Sequence, residues 1–299
     1  MQLDLFEDNR PVILLNIADE YLRACDVGKA LAVCEQVRDE YPGNRQAAEL
    51  CELIRAWHGI IAGIEPSSCK PQQLREMLIN LESVTHAALR SAIINTLTGV
   101  LQTFPESDHI FLPPRFHRGH LLLELGRCAD AATSFRTALA SPTLERGRFL
   151  AWSADAMTLS GKADDALQVY LQALLEDPAT IDIPFVKHQT VQKLYQHCSL
   201  YAEGIEDDGE VAWLPVWGWL QGVFPLPLHH PPVLVELESR IGSKAFPTPR
   251  LWFELLTVAE HLRTVQRDDR QMAAVRRLMK RCNEEMFECY LLKIRGTRP

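Results

Sequence analysis

Apolar and polar residues fall in the same order in three stretches of the chain: IADEYLRACDVGKALAVCEQV (17–37), RGHLLLELGRCADAATSFRTAL (118–139) and SADAMTLSGKADDALQVYLQAL (153–174). The last two keep their spacing closely. Gly126 is followed by Ala131, Phe135 and Ala138, and Gly161 by Ala166, Tyr170 and Ala173, at an offset of 35 residues. A unit of that length is one helix–turn–helix, which cannot bury its apolar face alone and stacks on its neighbours. Glycine accepts the left-handed backbone of a tight turn, so Gly126 and Gly161 mark where the first helix ends. Asp130 and Asp164 lie near the start of the second helix, where a carboxylate favours the positive end of the dipole. Ala131 and Ala166 mark a close approach of two helix backbones. Phe135 and Tyr170 are expected to fill the gap between successive hairpins. Pro42 and Pro178 stop the second helix.

The remaining pattern predicts more helices. After a hairpin over 11–44 come helices at 45–63, 72–80 and 85–104, with a Pro/Ser loop at 64–71. Two hairpins occupy 112–180, and a helix over 184–198 is expected to begin at Pro184. An acidic link, EGIEDDGE (203–210), precedes a change of composition: seven of the eighteen prolines lie between 215 and 249. Short helices are predicted near 215–223 and 232–242, then longer ones over 248–266 and 268–292. No alternating run with a hairpin turn persists, so no strand is predicted. The expected regions are 1–104, 105–202 and 203–299, with Leu3, Leu5 and Phe6 in a short lead of 1–10.

The three phrases resemble the tetratricopeptide repeat. The family's small, aromatic and proline slots are met over 11–44 by Leu14, Ile17, Ala18, Tyr21, Ala30, Cys34, Val37 and Pro42. Over 147–180 they are met by Leu150, Ser153, Ala154, Met157, Ala166, Tyr170, Ala173 and Pro178. The middle repeat, 112–145, supplies Gly119, Leu122, Ala131, Phe135 and Ala138. It departs at Arg115 and Arg118, and its Pro142 comes one residue early. The resemblance implies an all-α fold of antiparallel helical hairpins in a right-handed superhelix, here followed by a helical C-terminal section.

Composition fits a folded globular chain, with 47 % hydrophobic and 23 % charged residues. No export leader and no 18-residue apolar run stands out, so a cytoplasmic protein is expected. The eight cysteines are scattered without a C-x-x-C pair and read as reduced, mostly buried thiols. The net charge of −8 is uneven: from His261 onward the balance is +5, leaving −13 for 1–260. Arg276, Arg277, Lys280 and Arg281 are placed along one side of a C-terminal helix. That face is either solvated or a site for nucleic acid or an anionic membrane.

Catalytic signatures are missing. There is no glycine-rich phosphate loop, no dinucleotide fingerprint, no H-E-x-x-H and no G-x-S-x-G. The chain reads as a non-enzyme without a cofactor. An alternative uses His117 and His120, three apart on a helix, as two ligands of a metal-dependent enzyme or regulator, although such a site needs a third ligand. His229 and His230 read as an exposed turn. Trp213, Trp217 and Trp219 are either core beneath the C-terminal helices or an aromatic platform for a peptide.

In the family, the first helix of each hairpin lines a concave groove. Carried over, the early repeat presents Val12, Leu15, Asn16, Asp19, Leu22 and Arg23. The middle one presents Pro113, Phe116, His117, His120, Leu123 and Glu124. The next presents Arg148, Ala151, Trp152, Asp155, Thr158 and Leu159. The carboxylate clamp of chaperone-binding members is echoed only by Asn16 and Arg148 and is absent. The sequence therefore supports a protein-interaction scaffold or adaptor whose partner is a protein or peptide. Phe116, His117, His120, Arg148, Trp152 and Asp155 are the expected contact residues, with Trp152 either the main anchor or covered by the chain's own helix over 184–198.

Overall fold

The computed structural model describes residues 9–141, 145–201, 209–227, 231–241, 248–266 and 268–296. Leu3, Leu5 and Phe6, Pro142, most of the acidic link and the His229–His230 pair lie outside them. The chain divides into two compact units, Met1–Ala138 and Leu139–Pro299.

The first unit opens with α1 (Arg10–Arg23) and α2 (Val27–Glu40), which pack as a hairpin, followed by α3 (Arg45–Ala62) against α2. Local chemistry fixes the ends. The Asp26 carboxylate accepts from Lys29 N–H at 3.0 Å to start α2, and the Asn44 side chain accepts from Ala47 N–H at 3.0 Å to start α3. Ala18, Leu22, Ala30, Cys34, Cys51 and Ile54 are buried between these helices. Then come α4 (Pro71–Leu81) and α5 (Ala87–Gln102), and α5 packs on both α1 and α6 (Arg118–Glu124). α7 runs Cys128–Leu139.

The turns between paired helices share one geometry. Gly126 has φ +72 and Gly161 φ +79. In each, the N–H three residues past the helix end reaches back five residues, Arg127 to Leu122 O and Lys162 to Met157 O, both at 2.9 Å. The first hairpin repeats this closure, Asp26 N–H to Tyr21 O at 2.8 Å. There the left-handed position is held by Cys25, at φ 61.

One expectation fails in this unit. The first helix of the middle hairpin is short. Ahead of it, β1 (Phe111–Leu112) pairs antiparallel with β2 (Phe116–His117) around a Pro113–Pro114 corner. Two adjacent prolines cannot donate to a helix ladder, and a residue before proline is pushed toward extended backbone. Pro113, Phe116 and His117 therefore precede the helix instead of lying along it. Phe135 also packs inward: its ring stacks on His117, centroids 5.5 Å apart, and covers Gly119 so closely that an added Cβ would clash with it.

The second unit begins with the hairpin α8 (Arg146–Leu159) and α9 (Ala163–Glu176), with Ala154, Ala166 and Ala173 fully buried. Gly147 touches the far end of the same hairpin, where a Cβ would collide with Asp177 O. Two 3₁₀ turns follow, Pro178–Thr180 and Ile183–Phe185, and α10 begins only at Gln189. Pro184 thus sits in a turn rather than starting the helix. Next are a 3₁₀ turn Glu210–Trp213 and α11 (Leu214–Leu220), both packed on α9, then α12 (Leu234–Arg240). The stretch expected as two long helices is three: α13 (Thr248–His261), prolonged by a π turn over Leu262–Gln266, then α14 (Asp269–Cys282) and α15 (Glu284–Ile294). Asn283 makes the break, because its side chain accepts from Met286 N–H at 2.9 Å and caps α15.

The tryptophan cluster is core. Trp213 is 2 % exposed with its ring edge-on to Trp252, Trp217 is buried, and Trp219 packs on Tyr290. Beneath them Glu260, 4 % exposed, takes Arg263 and the Tyr290 hydroxyl. Among the described residues no helix is long and apolar enough to cross a membrane. The fold is all-α, built from helical hairpins, with one two-stranded corner.

Candidate functional site

In the first unit, Phe116 and His117 are buried and His120 is half-buried. His117 stands at the start of α6 and uses both ring nitrogens locally. Gly119 N–H donates to Nδ1 at 3.0 Å, which places the proton on Nε2, and Nε2–H donates to Asp108 O at 2.9 Å. Burial is the main cause that lowers its pKa to about 4 from 6.5, against the opposing hydrogen bond to Asp108. The Asp108 carboxylate in turn accepts from Arg118 at 2.8 Å and from the Ser134 hydroxyl. His120 faces Glu124 at 3.4 Å, and Glu124 also pairs with Arg90 at 3.1 Å. The expectation of two imidazoles on one helix face is corrected: His117 precedes α6, and a metal there would break its two hydrogen bonds. Among the described residues no three His, Cys, Asp or Glu side chains converge as metal ligands.

In the second unit, Arg148, Trp152 and Asp155 share one face of α8, being four and three residues apart. The chain's own segment 181–188, IDIPFVKH, lies against that face. Arg148 pairs with Asp182 at 3.1 Å and with Glu145 at 2.5 Å, and its guanidinium lies over the Trp152 ring at 5.8 Å. Trp152 is only 6 % exposed, with Phe149 edge-on to it. Asp155, 5 % exposed, accepts from the Tyr170 hydroxyl and from Lys187 N–H, the latter at 2.7 Å. Burial raises its carboxyl to about 6 from 3.8, while the two donors act in the opposite sense. Ile181, Ile183 and Val186 are buried, Gln192 donates to Val186 O at 2.7 Å, and Phe185 faces out at 56 % exposed.

Of the two readings of Trp152, burial is the one observed, with this 181–188 strap rather than a helix over 184–198 lying on its face. The strap's signal in the sequence is Pro184, which disfavours helix at Ile183, followed by four residues before α10 starts. Four of the six expected contact residues, Phe116, His117, Trp152 and Asp155, are buried, and Arg148 is engaged by carboxylates on two sides.

The early hairpin looks different. On α1, Val12, Asn16 and Arg23 are exposed, and Leu15 and Asp19 half-exposed. Asp19 pairs with Arg23 at 3.5 Å and with His86 Nε2 at 3.2 Å. Together with Ala87, Ala88 and Ser91 at the start of α5, these three side chains line a cleft of about 380 Å³.

Paired helices with glycine-closed turns, small residues at the close contact and an aromatic over it define a helical-hairpin repeat protein. Residues 116–180, about a fifth of the chain, match the tetratricopeptide repeat family, so the protein is tetratricopeptide-repeat-like. Neither a search of curated proteins nor one of solved structures returns a match. The family generally serves protein–protein interaction.

Proposed function

We propose that this chain is a non-catalytic scaffold or adaptor in the cytoplasm that holds a protein or peptide partner without a cofactor. The observation that carries the reading is the tetratricopeptide match over 116–180, joined to a second, independent hairpin at 10–40 with the same turn closure. The partner face assigned here is the outer side of α1 at the α1–α5 cleft: Asp19 and Arg23 line the cleft, and Val12, Leu15 and Asn16 continue that side along α1 at helical spacing. Such a mixed surface suits a short segment carrying both kinds of side chain. Phe116, His117, Trp152 and Asp155 then hold the hairpins in shape, and His120 and Arg148 lie at their margins.

The test is affinity capture from native lysate with the full chain and with the double variant Asn16→Trp, Arg23→Glu, read by quantitative mass spectrometry. Both side chains are exposed, and because Arg23 pairs with Asp19 the fold of the variant is checked by circular dichroism. Proteins retained by the parent and lost by the variant support this face. A parent profile equal to bare beads overturns the scaffold reading, and equal retention by both proteins overturns the face.

A further inference from the structure

The outer face of α14 carries three arginines that no described carboxylate engages. Met272, Val275 and Met279 form its buried side. Arg270, Arg277 and Arg281 are exposed. At 3.6 residues per turn they fall within about 40° of one another, on the side opposite the buried one. Among the described residues none of the three guanidiniums is in an ion pair. The neighbouring cations stand apart from it: Arg276 is half-buried, and Lys280 pairs with Glu284 at 3.1 Å. The cationic face expected from 276, 277, 280 and 281 is thus a different and narrower ridge, 270–277–281, with Ala273 and Ala274 keeping it low.

The ridge is short and closed at both ends by acidic groups. Asp268 and Asp269 stand immediately before it, and Glu284, Glu285 and Glu288 immediately after. Its three charges span eleven residues of helix, about 16 Å, in steps of about 10 Å and 6 Å. A nucleic-acid strand or a bilayer surface extends past such a length and meets the flanking carboxylates. The ridge also lacks the aromatic rings on which single-stranded bases stack, and the bulky apolar residues that enter a membrane. A short acidic helix fits between the ends. Carboxylates spaced seven and four residues apart on one face meet the arginines in register, and each guanidinium fork suits a carboxylate in two-point contact.

We propose that the outer face of α14 is a docking surface for an acidic helical segment of a partner protein, with carboxylates at i, i+7 and i+11 or the same spacing reversed. This rests on the scaffold reading above and names the chemistry of one contact.

The experiment titrates the full chain into two labelled, alanine-rich helical peptides, one with glutamates at that spacing and one with glutamines, by fluorescence anisotropy. The comparison protein is the triple variant Arg270→Gln, Arg277→Gln, Arg281→Gln, whose fold is checked by circular dichroism. Three exposed pairs are worth roughly tenfold in affinity. The parent is therefore expected to bind the glutamate peptide about tenfold tighter than the glutamine one, the triple variant to show no preference, and added salt to erase the difference. Equal binding of the two peptides by the parent overturns the proposal. So does tighter, ridge-dependent binding of a 20-base-pair duplex or of phosphatidylserine vesicles. Lysate capture separates the two readings: a triple variant that retains every partner of the parent sinks the ridge and leaves the scaffold standing.

Discussion

Replacing Asp155 by asparagine isolates the charge on the group that ties the strap to α8. The carboxyl is 5 % exposed and its pKa is raised from 3.8 to about 6. A folded pKa above the unfolded one means that the folded state binds the extra proton. The group's contribution is therefore full below pH 3.8 and is lost as pH rises through about 6. The shift corresponds to about 3 kcal/mol, carried by the ionised form at neutral pH. An asparagine side chain keeps an acceptor oxygen for Tyr170 O–H and Lys187 N–H and never ionises. The variant should match the parent at pH 4 and exceed it at pH 7.5 by up to about 3 kcal/mol, a ceiling because the new amide N–H2 needs partners of its own. Urea unfolding followed by tryptophan fluorescence reads the right unit, since five of the six tryptophans lie within 139–299. All other titrating groups are shared and cancel in the difference. Asp155→Ala is the control. It strands a buried hydroxyl and a buried amide, each costing about 1–3 kcal/mol, so it should be less stable than Asp155→Asn at every pH, with faster amide exchange at 181–188. An asparagine variant that is weaker than the parent at pH 7.5, or a gap that ignores pH, would refute the reasoning.

Four further outcomes are expected. Cys25→Gly should raise urea stability of the first unit by up to about 1 kcal/mol, because a non-glycine residue held at φ 61 is strained; unchanged circular-dichroism melts would contradict this. Ala166→Leu should lower stability by about 1–3 kcal/mol by overpacking a fully buried close contact, and coincident urea curves would show that the site has room. Gly147→Ala should be worse tolerated than Gly119→Ala, since the added Cβ meets a carbonyl rather than a ring that can shift; soluble yield and thermal midpoint report the order. His117 has a lowered folded pKa, so its contribution is present above pH 6.5 and is lost as pH falls through about 4, a loss of about 3 kcal/mol. The first unit of His117→Gln should show a flatter acid limb by circular dichroism than the parent.

The hairpins are legible in the sequence because their constraints are local. Gly161, Ala166 and Tyr170 are each required by a turn, a close contact or a gap within one hairpin, so spacing alone reveals them. The same logic explains why the first repeat is faint: Cys25 occupies the glycine position of the turn, and Cys34 takes the place of the aromatic. The β corner ahead of α6 is hidden when 112–125 is read as a repeat helix, although Pro113–Pro114 argues otherwise. The candidate contacts are legible only as faces. That Arg148, Trp152 and Asp155 share one side of α8 follows from helical spacing. That residues 181–188 return to cover it depends on the pairing of Arg148 with Asp182 and of Asp155 with Lys187 N–H, which are distant in sequence. Arg276 departs from the expected face because at its turn of α14 it is half-buried, while Arg277 is exposed.

Repeat arrays lengthen by duplicating a hairpin onto a vacant terminal face. In this chain the Glu210–Trp213 turn and α11 pack on α9, and their Trp213, Leu214 and Val216 are buried. A further hairpin inserted after Asp177 would find its seat taken by these residues. Repeat number on this side is therefore fixed by the tryptophan-rich segment, and any change in it would require that segment to be lost or moved along with the new hairpin.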